Sequence, residues 1–319
     1  MFHWDDGLKL TRADLAIDFR RRQPRAFVSH AHSDHIARHE YALCTPATAA
    51  LYQHRLGRRR TLDLPYRQPV EWAGVRLTTL PAGHCLGSAM LLAEEDGCRL
   101  LYTGDFKLGE SATAEVAELC QAEILIIEST YGTPQYRLPK RAQVLEEFFT
   151  LVHAAIAEER TPIIHAYSLG KAQEVTRLLT AEGIPVLQHR SVFEISRIYE
   201  QFGVPLGQFA LLQDDVLPGW AVVVPPNASR VDSAKRPVRF MVSGWAIDPR
   251  AKYRFHVDHA IPLSDHADFD DLLETIRRVA PRKVYCTHGP LEFVDHVRAE
   301  GFDAAPLGPS HGVQLRLFT

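Results

Sequence analysis

Between residues 140 and 242 the sequence alternates between amphipathic helical segments and short apolar segments, and this alternation restricts the fold more than any other feature. In residues 140–159 the apolar side chains recur at the spacing of one helix face. The later segments alternate as strand, helix, strand, helix, strand and strand, at 162–164, 169–181, 184–187, 193–202, 221–224 and 238–242. Because strands that alternate with helices pair in parallel, we predict an α/β module around a parallel sheet.

The sequence on either side of this module has a different character. Short apolar strands separated by glycine-containing turns precede it, at 26–28, 75–80, 88–93, 99–102 and 124–127. After residue 245, strand-like segments at 260–263 and 283–286 flank a helical segment at 269–279. We therefore predict an α/β protein in which a larger domain, 1–132 and 246–319, is interrupted by a smaller domain at 133–245.

Charge and composition exclude several classes of protein. With 36 basic and 39 acidic side chains the formal net charge is −3, which excludes a globally basic nucleic-acid binder. Binding to phosphates would therefore depend on a local basic groove or on metal ions. The five cysteines are scattered without a C-x-x-C pair, so neither a disulfide framework nor a zinc ribbon is indicated. Reduced thiols predict a cytoplasmic protein.

The apolar segments are too short to place the protein in a membrane. No apolar run approaches the length of a membrane span, and residues 1–6 lack the basic start and apolar stretch of a signal peptide. We expect no contact with a membrane.

A six-residue segment that directly follows the strand at 26–28 contains four candidate metal ligands: His30, His32, Asp34 and His35. Imidazole and carboxylate groups together suit zinc and its neighbours in the transition series, including manganese. We expect the strand end to fix the first two histidines while the chain turns into a helix, so that Asp34 and His35 face a second ion. A polar turn rich in histidine is the alternative, and three histidines in six residues are unusual for a turn.

Three further candidates follow later strands, each near a glycine that lets the backbone approach an ion closely. They are His84 after the strand at 75–80, Asp105 after 99–102 and His288 after 283–286. A single histidine at a strand end is more often a hydrogen-bonded residue than a ligand. As a set in this order, however, the three residues indicate a centre for two divalent ions.

The complete pattern resembles the metallo-β-lactamase superfamily. Asp18 matches the family's first motif, an aspartate that orients the ligand loop. Glu128 in the sequence E-S-T-Y-G and His266 in S-D-H-A-D resemble the first two motifs of the β-CASP nuclease branch, and His288 resembles the third. The resemblance covers nearly the whole chain, is greatest to bacterial DNA ligase-associated exonucleases, and implies an αββα sandwich with an inserted β-CASP cap domain.

The resemblance also implies roles for individual residues. His30, His32 and His84 would hold one ion, Asp34, His35 and His288 the other, and Asp105 would bridge the two. The ions would activate water for attack on a phosphodiester, with Asp34 and Asp105 counted among the catalytic residues. His266 would donate a proton to the leaving group and Glu128 would orient His266, leaving 5′-phosphate and 3′-hydroxyl ends. Without the resemblance, Glu128 fits a turn cap and His266 a helix start equally well.

The segment Ser168-Leu169-Gly170-Lys171 resembles a conserved β-CASP turn into a helix. Free N–H groups at the helix start could bind a backbone phosphate with help from Ser168, Gly170 and Lys171. An ordinary capped helix start is an equally good interpretation.

The leading functional hypothesis is a DNA exonuclease in DNA repair, and the resemblance adds a functional association with a DNA ligase and a helicase. An RNA-processing nuclease is the first alternative, and His288 favours it because RNA-directed members carry this histidine. A small-ester hydrolase is the second alternative, against which the cap and the Glu128/His266 pair argue. An inactive nucleic-acid-binding scaffold is the third, and the complete ligand set argues against it.

Overall fold

The computed structural model describes residues 1–213, 215–228, 231 and 234–308. Contacts divide the chain into two compact units. The first contains Met1–Glu110, Ala114–Arg137 and the chain from His266 onward, and the second contains Ser111–Thr113 and Leu138–Asp265. The last part of the predicted larger domain, 309–319, lies outside the described residues.

Nineteen strands and seven helices are assigned along the described chain. The first unit begins with β1 Phe2–Trp4, β2 Leu8–Leu10, β3 Leu15–Ile17, β4 Arg25–Phe27, β5 Tyr41–Cys44, α1 Pro46–Leu56, β6 Arg60–Asp63, β7 Val70–Trp72, β8 Val75–Pro81, β9 Ala89–Glu95, β10 Cys98–Tyr102 and β11 Ile124–Glu128. The second unit contains α2 Arg141–Ala157, β12 Pro162–His165, α3 Lys171–Ala181, β13 Val186–Gln188, α4 Arg190–Gln201, β14 Phe209–Leu211, β15 Ala221–Val224, β16 Val238–Val242, α5 Ala251–Phe255 and β17 His259–Ile261. The first unit then resumes with α6 Phe269–Val279, β18 Lys283–Thr287, α7 Glu292–Ala299 and β19 Ala304–Pro306.

Two sheets form the centre of the first unit. Their strand orders are β1-β2-β3-β4-β5-β6 and β19-β18-β11-β10-β9-β8-β7. Apolar side chains of both sheets, such as Phe27 and Leu43 from one and Leu91 and Ile126 from the other, pack in a common core. This burial removes apolar surface from water and is the main force that holds the sheets together.

Helices cover the outer faces of both sheets. Tyr52 of α1 packs with residues that follow or belong to β4 and β5. On the second sheet, Leu272 of α6 and Phe293 of α7 pack against Leu125 of β11 and its neighbours. The first unit is therefore an αββα sandwich, which confirms the fold class predicted from the sequence.

The second unit is built on one parallel sheet with the order β14-β13-β15-β12-β16-β17. Its strands are short and largely apolar, as expected for strands of a parallel sheet. Side chains of α2 and α3, including Phe148 and Val175, pack with Phe240 and Val223 of the sheet. The predicted alternation of strands and helices around a parallel sheet is thus present.

The division of the chain differs from the predicted domain limits of 133 and 245. The segment predicted as a main-domain strand at 260–263 forms β17, whose residues His259 to Ile261 pair in parallel with β16. This pairing extends the second unit to Asp265. At the other limit, the chain up to Arg137 stays with the first unit, where Arg137 donates to Asp270 at 2.9 Å.

Within the part of the chain that the structure describes, no helix has both the length and the apolar character needed to cross a bilayer.

Candidate metal centre

Strand ends in the first unit bring the predicted ligands together. Strands β10, β11 and β18 are parallel neighbours, so their carboxyl ends lie at one edge of the sheet. Strand β8 runs in the same direction, because it pairs antiparallel with β9 and β9 pairs antiparallel with β10. The candidates His84, Asp105 and His288 follow three of these strand ends, and the segment from His30 to His35 follows β4 in the facing sheet.

Three histidines converge through their ring nitrogens. His30 Nε2 lies 3.1 Å from His32 Nδ1, and the same His32 nitrogen lies 3.0 Å from His84 Nε2. The His30 and His84 ring centroids are 4.7 Å apart. Candidate ligand atoms of these three residues and of Asp105 all lie within 4.8 Å of one another.

Asp105 also belongs to a second group with His35 and His288. Its Oδ2 lies 3.2 Å from His35 Nε2 and 3.5 Å from His30 Nε2, and its Oδ1 lies 3.8 Å from His288 Nδ1. One carboxylate therefore faces histidines of both groups, as a bridging residue would. His288 has a positive φ of 53°, so its position depends on a backbone conformation that few residues adopt.

Asp34 lies at the exposed margin of the centre. Its Oδ2 is 3.8 Å from His35 Nε2 and 3.9 Å from an Arg20 guanidinium nitrogen, and its side chain is 44% exposed. It is not a member of the groups whose ligand atoms all lie within 4.8 Å. The expected turn into a helix after His35 is wrong, because a hydrogen-bonded turn from His32 to His35 is followed by irregular chain and α1 begins at Pro46.

Burial and charge act in opposite directions on the buried histidines. Burial lowers the pKa of His30 well below its usual range. Burial also opposes a charge on His35, but the carboxylates of Asp105 and Asp18 outweigh it and raise the pKa of His35 well above its usual range. The Asp105 carboxyl is likewise opposed by burial, and His35 and His288 hold its pKa well below its usual range. The buried carboxylates of Asp105 and Asp18 thus concentrate negative charge at this site and favour a positive charge beside them.

Asp18 holds the ligand segment from His30 to His35 in place through hydrogen bonds. Its Oδ1 accepts from the Ser29 amide at 2.7 Å, and its Oδ2 accepts from the Ser29 hydroxyl at 2.5 Å and from Tyr102 at 2.8 Å. The same oxygen lies 2.9 Å from His35 Nδ1, which must therefore carry the proton. The tautomer of His35 is thus fixed with Nε2 directed to the Asp105 side.

Glu128 and His266 form a pair beside the histidine cluster. His266 Nδ1 lies 2.9 Å from Glu128 Oε1, and the His266 ring centroid is 4.5 Å from that of His84. Backbone N–H groups of Phe106 and Thr130 donate to the two Glu128 oxygens at 3.0 and 3.2 Å. Glu128 is 1% exposed, so its orientation is set by the core, while the His266 side chain is 18% exposed.

The donor set suits a first-row transition metal such as zinc. A tetrahedral ion with nitrogen ligands at about 2.0 to 2.1 Å separates those nitrogens by about 3.3 Å. The ring nitrogens of His30, His32 and His84 are close to that spacing. One nitrogen, His32 Nδ1, faces the ring nitrogens of both His30 and His84, an arrangement that suits a shared cation.

Comparisons with known proteins agree with this centre. A family profile described as "RMMBL: Zn-dependent metallo-hydrolase RNA specificity domain" matches residues 252–304. A "Probable DNA ligase" of Opitutus terrae is 40% identical over 98% of this chain and 32% of its own length. The "5' exonuclease Apollo" of Gallus gallus is 29% identical over 88% of this chain and 63% of its own, and the "Cleavage and polyadenylation specificity factor subunit 3" of Dictyostelium discoideum is 36% identical over 42% and 17%.

The chain has the metallo-β-lactamase fold and resembles the β-CASP branch of that superfamily. The matching family model describes zinc-dependent metallo-hydrolases, and the similar proteins include nucleases. A solved structure described as a protein of unknown function from Enterococcus faecalis V583 has the same fold, with a TM-score of 0.60, 14% identity, and coverage of 90% of this chain and 80% of that one. The chain spans about one third of the length of the Opitutus terrae relative.

The β-CASP turn at 168–171 does not offer the predicted phosphate site. Lys171 is fully buried, and its ammonium donates to Glu174 at 2.8 Å and lies 3.9 Å from Asp265. The Gly170 N–H donates to Gln173 at 2.8 Å, which satisfies the helix start internally. Ser168 is half-buried, with its hydroxyl 3.4 Å from that of Ser191. The interpretation as a capped helix start therefore describes this turn, and Lys171 is enclosed by carboxylates.

Two residues that contact Asp18 at the candidate metal centre were not predicted from the sequence. Ser29 contacts Asp18 through two hydrogen bonds and His30 Nδ1 at 3.0 Å, and Tyr102 bonds Asp18 from the facing sheet. Ser29 directly precedes the histidine motif and Tyr102 ends β10 three residues before Asp105. The sequence offers one indication of their role, which is that each lies within a few residues of a predicted ligand.

Proposed function

We propose that this chain is a two-metal nuclease that hydrolyses phosphodiester bonds in DNA as an exonuclease, leaving 5′-phosphate and 3′-hydroxyl ends. The observation that carries the proposal is the Glu128–His266 pair, held beside the converging ligands with a His84–His266 centroid distance of 4.5 Å. A positioned acid beside the metal ligands can protonate the alkoxide that leaves when a phosphodiester bond is broken.

The ligand groups divide between two ions. His30, His32 and His84 would hold one, and His35, His288 and the more exposed Asp34 would hold the other, with Asp105 shared. Zinc fits the donors best, and manganese is the second choice. When bound, such ions supply Lewis acidity for the phosphoryl oxygens and water of lowered pKa.

The protein's own residues supply the proton for the leaving oxygen. Because a carboxyl oxygen of Glu128 accepts from His266 Nδ1, the imidazole is held in one orientation and Nε2 is the atom that gives up a proton. Glu128 is itself immobilised by two backbone N–H donors. Positioned acids of this kind contribute about 10²- to 10⁴-fold in rate.

The choice of DNA is supported by two relatives. The probable DNA ligase of Opitutus terrae aligns with nearly the whole chain, and Apollo of Gallus gallus aligns with 88% of it. On this basis we extend the proposal to DNA repair in functional association with a DNA ligase. The resemblance to DNA ligase-associated exonucleases adds a helicase to this proposal, and the reduced cysteines add the cytoplasm. An RNA-processing nuclease is the second candidate, because the profile at 252–304 is described as an RNA specificity domain and relatives include endoribonucleases.

The test offers 5′- and 3′-labelled single- and double-stranded DNA and RNA to the purified zinc- or manganese-loaded protein, with and without chelator. Wild type should degrade DNA progressively from one end, and chelator should abolish this. Asp105→Ala should be inactive with reduced bound metal, whereas His266→Ala should keep its metal and lose about 10²- to 10⁴-fold in rate. His153→Ala, at an exposed histidine of the second unit, serves as the matched control.

Each alternative has its own outcome in the same assay. Cleavage of RNA alone would replace the DNA assignment with the RNA-processing one. Internal cleavage without end dependence would remove exonuclease action. Full activity of His266→Ala would remove the proton donor, and absence of any cleavage with metal bound would leave the ester hydrolase or scaffold interpretations.

A further inference from the structure

A cavity of about 280 Å³ lies in the first unit, and the candidate ligand His288 is among its lining residues. Its walls include Trp4, Arg20, Arg21 and His288. Asp18 and Tyr102, which hold the ligand segment in place, also line it. The cavity therefore borders the candidate metal centre, because His288 belongs to both.

The walls of this cavity are fixed by close packing. Strands β1 and β2 form a hairpin in which Trp4 pairs with Leu8. A Cβ atom on Gly7 in its turn would lie 2.5 Å from the ring of Phe19, so a larger residue here would displace that ring. The hairpin that contains Trp4 thus packs against the segment that contains Arg20 and Arg21. The cavity is therefore formed without a ligand.

Trp4 presents an indole ring to solvent at the cavity. It is 39% exposed, which is unusual for a large aromatic residue at the end of a strand. Aromatic side chains that line nucleic-acid grooves stack on bases, and every base has a face suited to this contact. An exposed indole beside a cavity of this size therefore suits one planar heterocycle.

Two guanidinium groups line the same cavity. Arg20 is oriented by a bond from its Nε to the Asp34 carbonyl at 3.0 Å. Arg21 pairs with Asp6 at 3.2 Å, and both side chains are 73% exposed. An exposed pair of this kind contributes little, so Arg21 can exchange Asp6 for a phosphate at small cost.

The acidic groups of the cavity do not cancel this attraction. Asp18 already accepts bonds from Ser29 and Tyr102, and its charge is directed to His35. The Asp6 side chain is exposed and already pairs with Arg21 at the surface. The cavity thus combines a flat aromatic ring with two guanidinium groups that can bind phosphate. Its volume is slightly below the usual range of small-molecule sites, which suits one nucleotide.

We propose that this cavity binds one unpaired nucleotide of the nucleic-acid strand, next to the phosphodiester bond that is hydrolysed. The base stacks on Trp4, and Arg21 together with Arg20 contacts the adjoining backbone phosphate. This inference rests on the proposed nuclease function and specifies how that site binds the nucleic-acid strand. It also requires the nucleotide to be outside a duplex, because a base inside a duplex has both faces covered by its stacked neighbours.

The first experiment measures the Kd of labelled single-stranded oligonucleotides in chelator by fluorescence anisotropy, and cleavage of the same strands with metal. Trp4→Ala should weaken binding about 5- to 150-fold, the effect of losing one stacked base. Trp4→Phe should recover most of the affinity, because a smaller aromatic ring still stacks. An equal Kd for wild type and Trp4→Ala would overturn the proposal.

A scan with single abasic positions locates the stacked base. In wild type, removal of one base beside the cleaved bond should weaken binding as much as Trp4→Ala does. In Trp4→Ala the same abasic substrate should show no further loss, because the two partners of one contact are non-additive. Additive losses, or equal losses at every position, would contradict stacking on Trp4.

The phosphate contact is tested by salt dependence. Arg21→Gln should reduce the slope of log Kd against log salt concentration by about 0.7, the value for one phosphate contact on a single strand. Arg76→Gln is the matched control, since Arg76 is also exposed, sits in a surface ion pair with Glu94 and does not line the cavity. An unchanged slope in Arg21→Gln would remove this contact.

These readouts separate failure of the inference from failure of the proposed function. If wild type cleaves and Trp4→Ala binds oligonucleotides as tightly as wild type, the cavity proposal is refuted and the nuclease proposal stands. If wild type binds oligonucleotides with an affinity that depends on Trp4 but cleaves none of them, the nuclease proposal is refuted and the cavity proposal stands. Wild type that neither binds nor cleaves any strand refutes both.

Discussion

Asp18 is the residue through which the two sheets of the sandwich control the ligand segment. Tyr102 reaches it from β10 of one sheet, and Ser29 and His35 reach it from the segment after β4 of the other. Burial raises the pKa of Tyr102 well above its usual range, so its hydroxyl stays protonated and donates. A positive φ of 48° at Asp18 shows that the backbone is bent to place this carboxylate.

We predict that Asp18→Asn lowers zinc affinity about 10- to 100-fold without unfolding the protein. The amide has one acceptor oxygen in place of two, so it cannot hold His35 and Ser29 together. Competition against a chromophoric chelator measures the affinity. Tyr102→Phe removes one donor and should have a smaller effect. Equal zinc affinity in Asp18→Asn and wild type would show that Asp18 does not orient the ligands.

His39 is buried outside the ligand set and should make stability depend on pH. Its Nδ1 accepts from the Gln23 N–H at 3.2 Å, and burial lowers the pKa of His39 to about 4. The unfolded chain, with a pKa near 6.5, binds more protons between about pH 6.5 and 4, so folded-state stability falls as pH falls through this window.

In His39→Gln, whose amide oxygen can still accept from Gln23, we expect a weaker pH dependence. The wild-type free energy of unfolding should fall by about 3 kcal/mol more than that of the variant between pH 7 and 4. Urea unfolding at fixed ionic strength measures this difference, and the effect of other titrating groups cancels in the comparison. Parallel pH profiles for the two proteins would contradict a neutral buried His39.

At the scale of helices and strands, the sequence predicted local order well and distant pairing poorly. Helix α6 and strands β15 and β16 begin and end where the sequence placed them, because apolar periodicity is a local property. His288 and Asp105 were identified because each follows an apolar strand within a few residues. Strand β17 was assigned to the wrong unit, since three residues do not reveal which sheet edge they will join.

Lys171 shows why the helix start at 168–171 was ambiguous. A lysine at a helix start next to a glycine has the sequence of an anion site. Its environment depends on Glu174 one turn later and on Asp265, which is 94 positions away in sequence. Arg141 donates to the same Glu174 at 2.8 Å, which completes a buried ionic network. Only the folded unit reveals that the lysine is enclosed.

We predict that Lys171→Met destabilises the protein by about 3 kcal/mol, because it leaves buried carboxylates without one of their cations. The affinity of the folded variant for oligonucleotides should not change. Thermal or urea unfolding and anisotropy at low temperature measure the two quantities. Lys235→Met, at an exposed lysine of the same unit, is the control for stability. A loss of oligonucleotide affinity with unchanged stability would restore the phosphate interpretation.

For the whole molecule, the candidate ligands unite distant parts of the first unit. They come from residues 30–35, 84, 105 and 288, and the second unit is inserted between the last two of these positions. Each of the candidate ligands belongs to the first unit. A bound ion would therefore act as a cross-link between chain segments that are otherwise joined by the sandwich core, and binding energy would appear as stability of that unit.

We accordingly expect zinc to protect the two units unequally against hydrogen exchange. At a free zinc concentration 100 times the Kd, protection of the slowest amides in the first unit should rise by up to about 100-fold, equivalent to ~2.7 kcal/mol. Amides of β12, β15 and β16 in the second unit should change much less, because none of the candidate ligands lies there. Mass spectrometry of peptides with zinc and with chelator measures this difference, and Asp105→Ala should lose most of the zinc effect. If the second unit gained the same protection as the first, unfolding of the two units would have to be coupled, and the ion would stabilise the molecule as a whole rather than the sandwich that binds it.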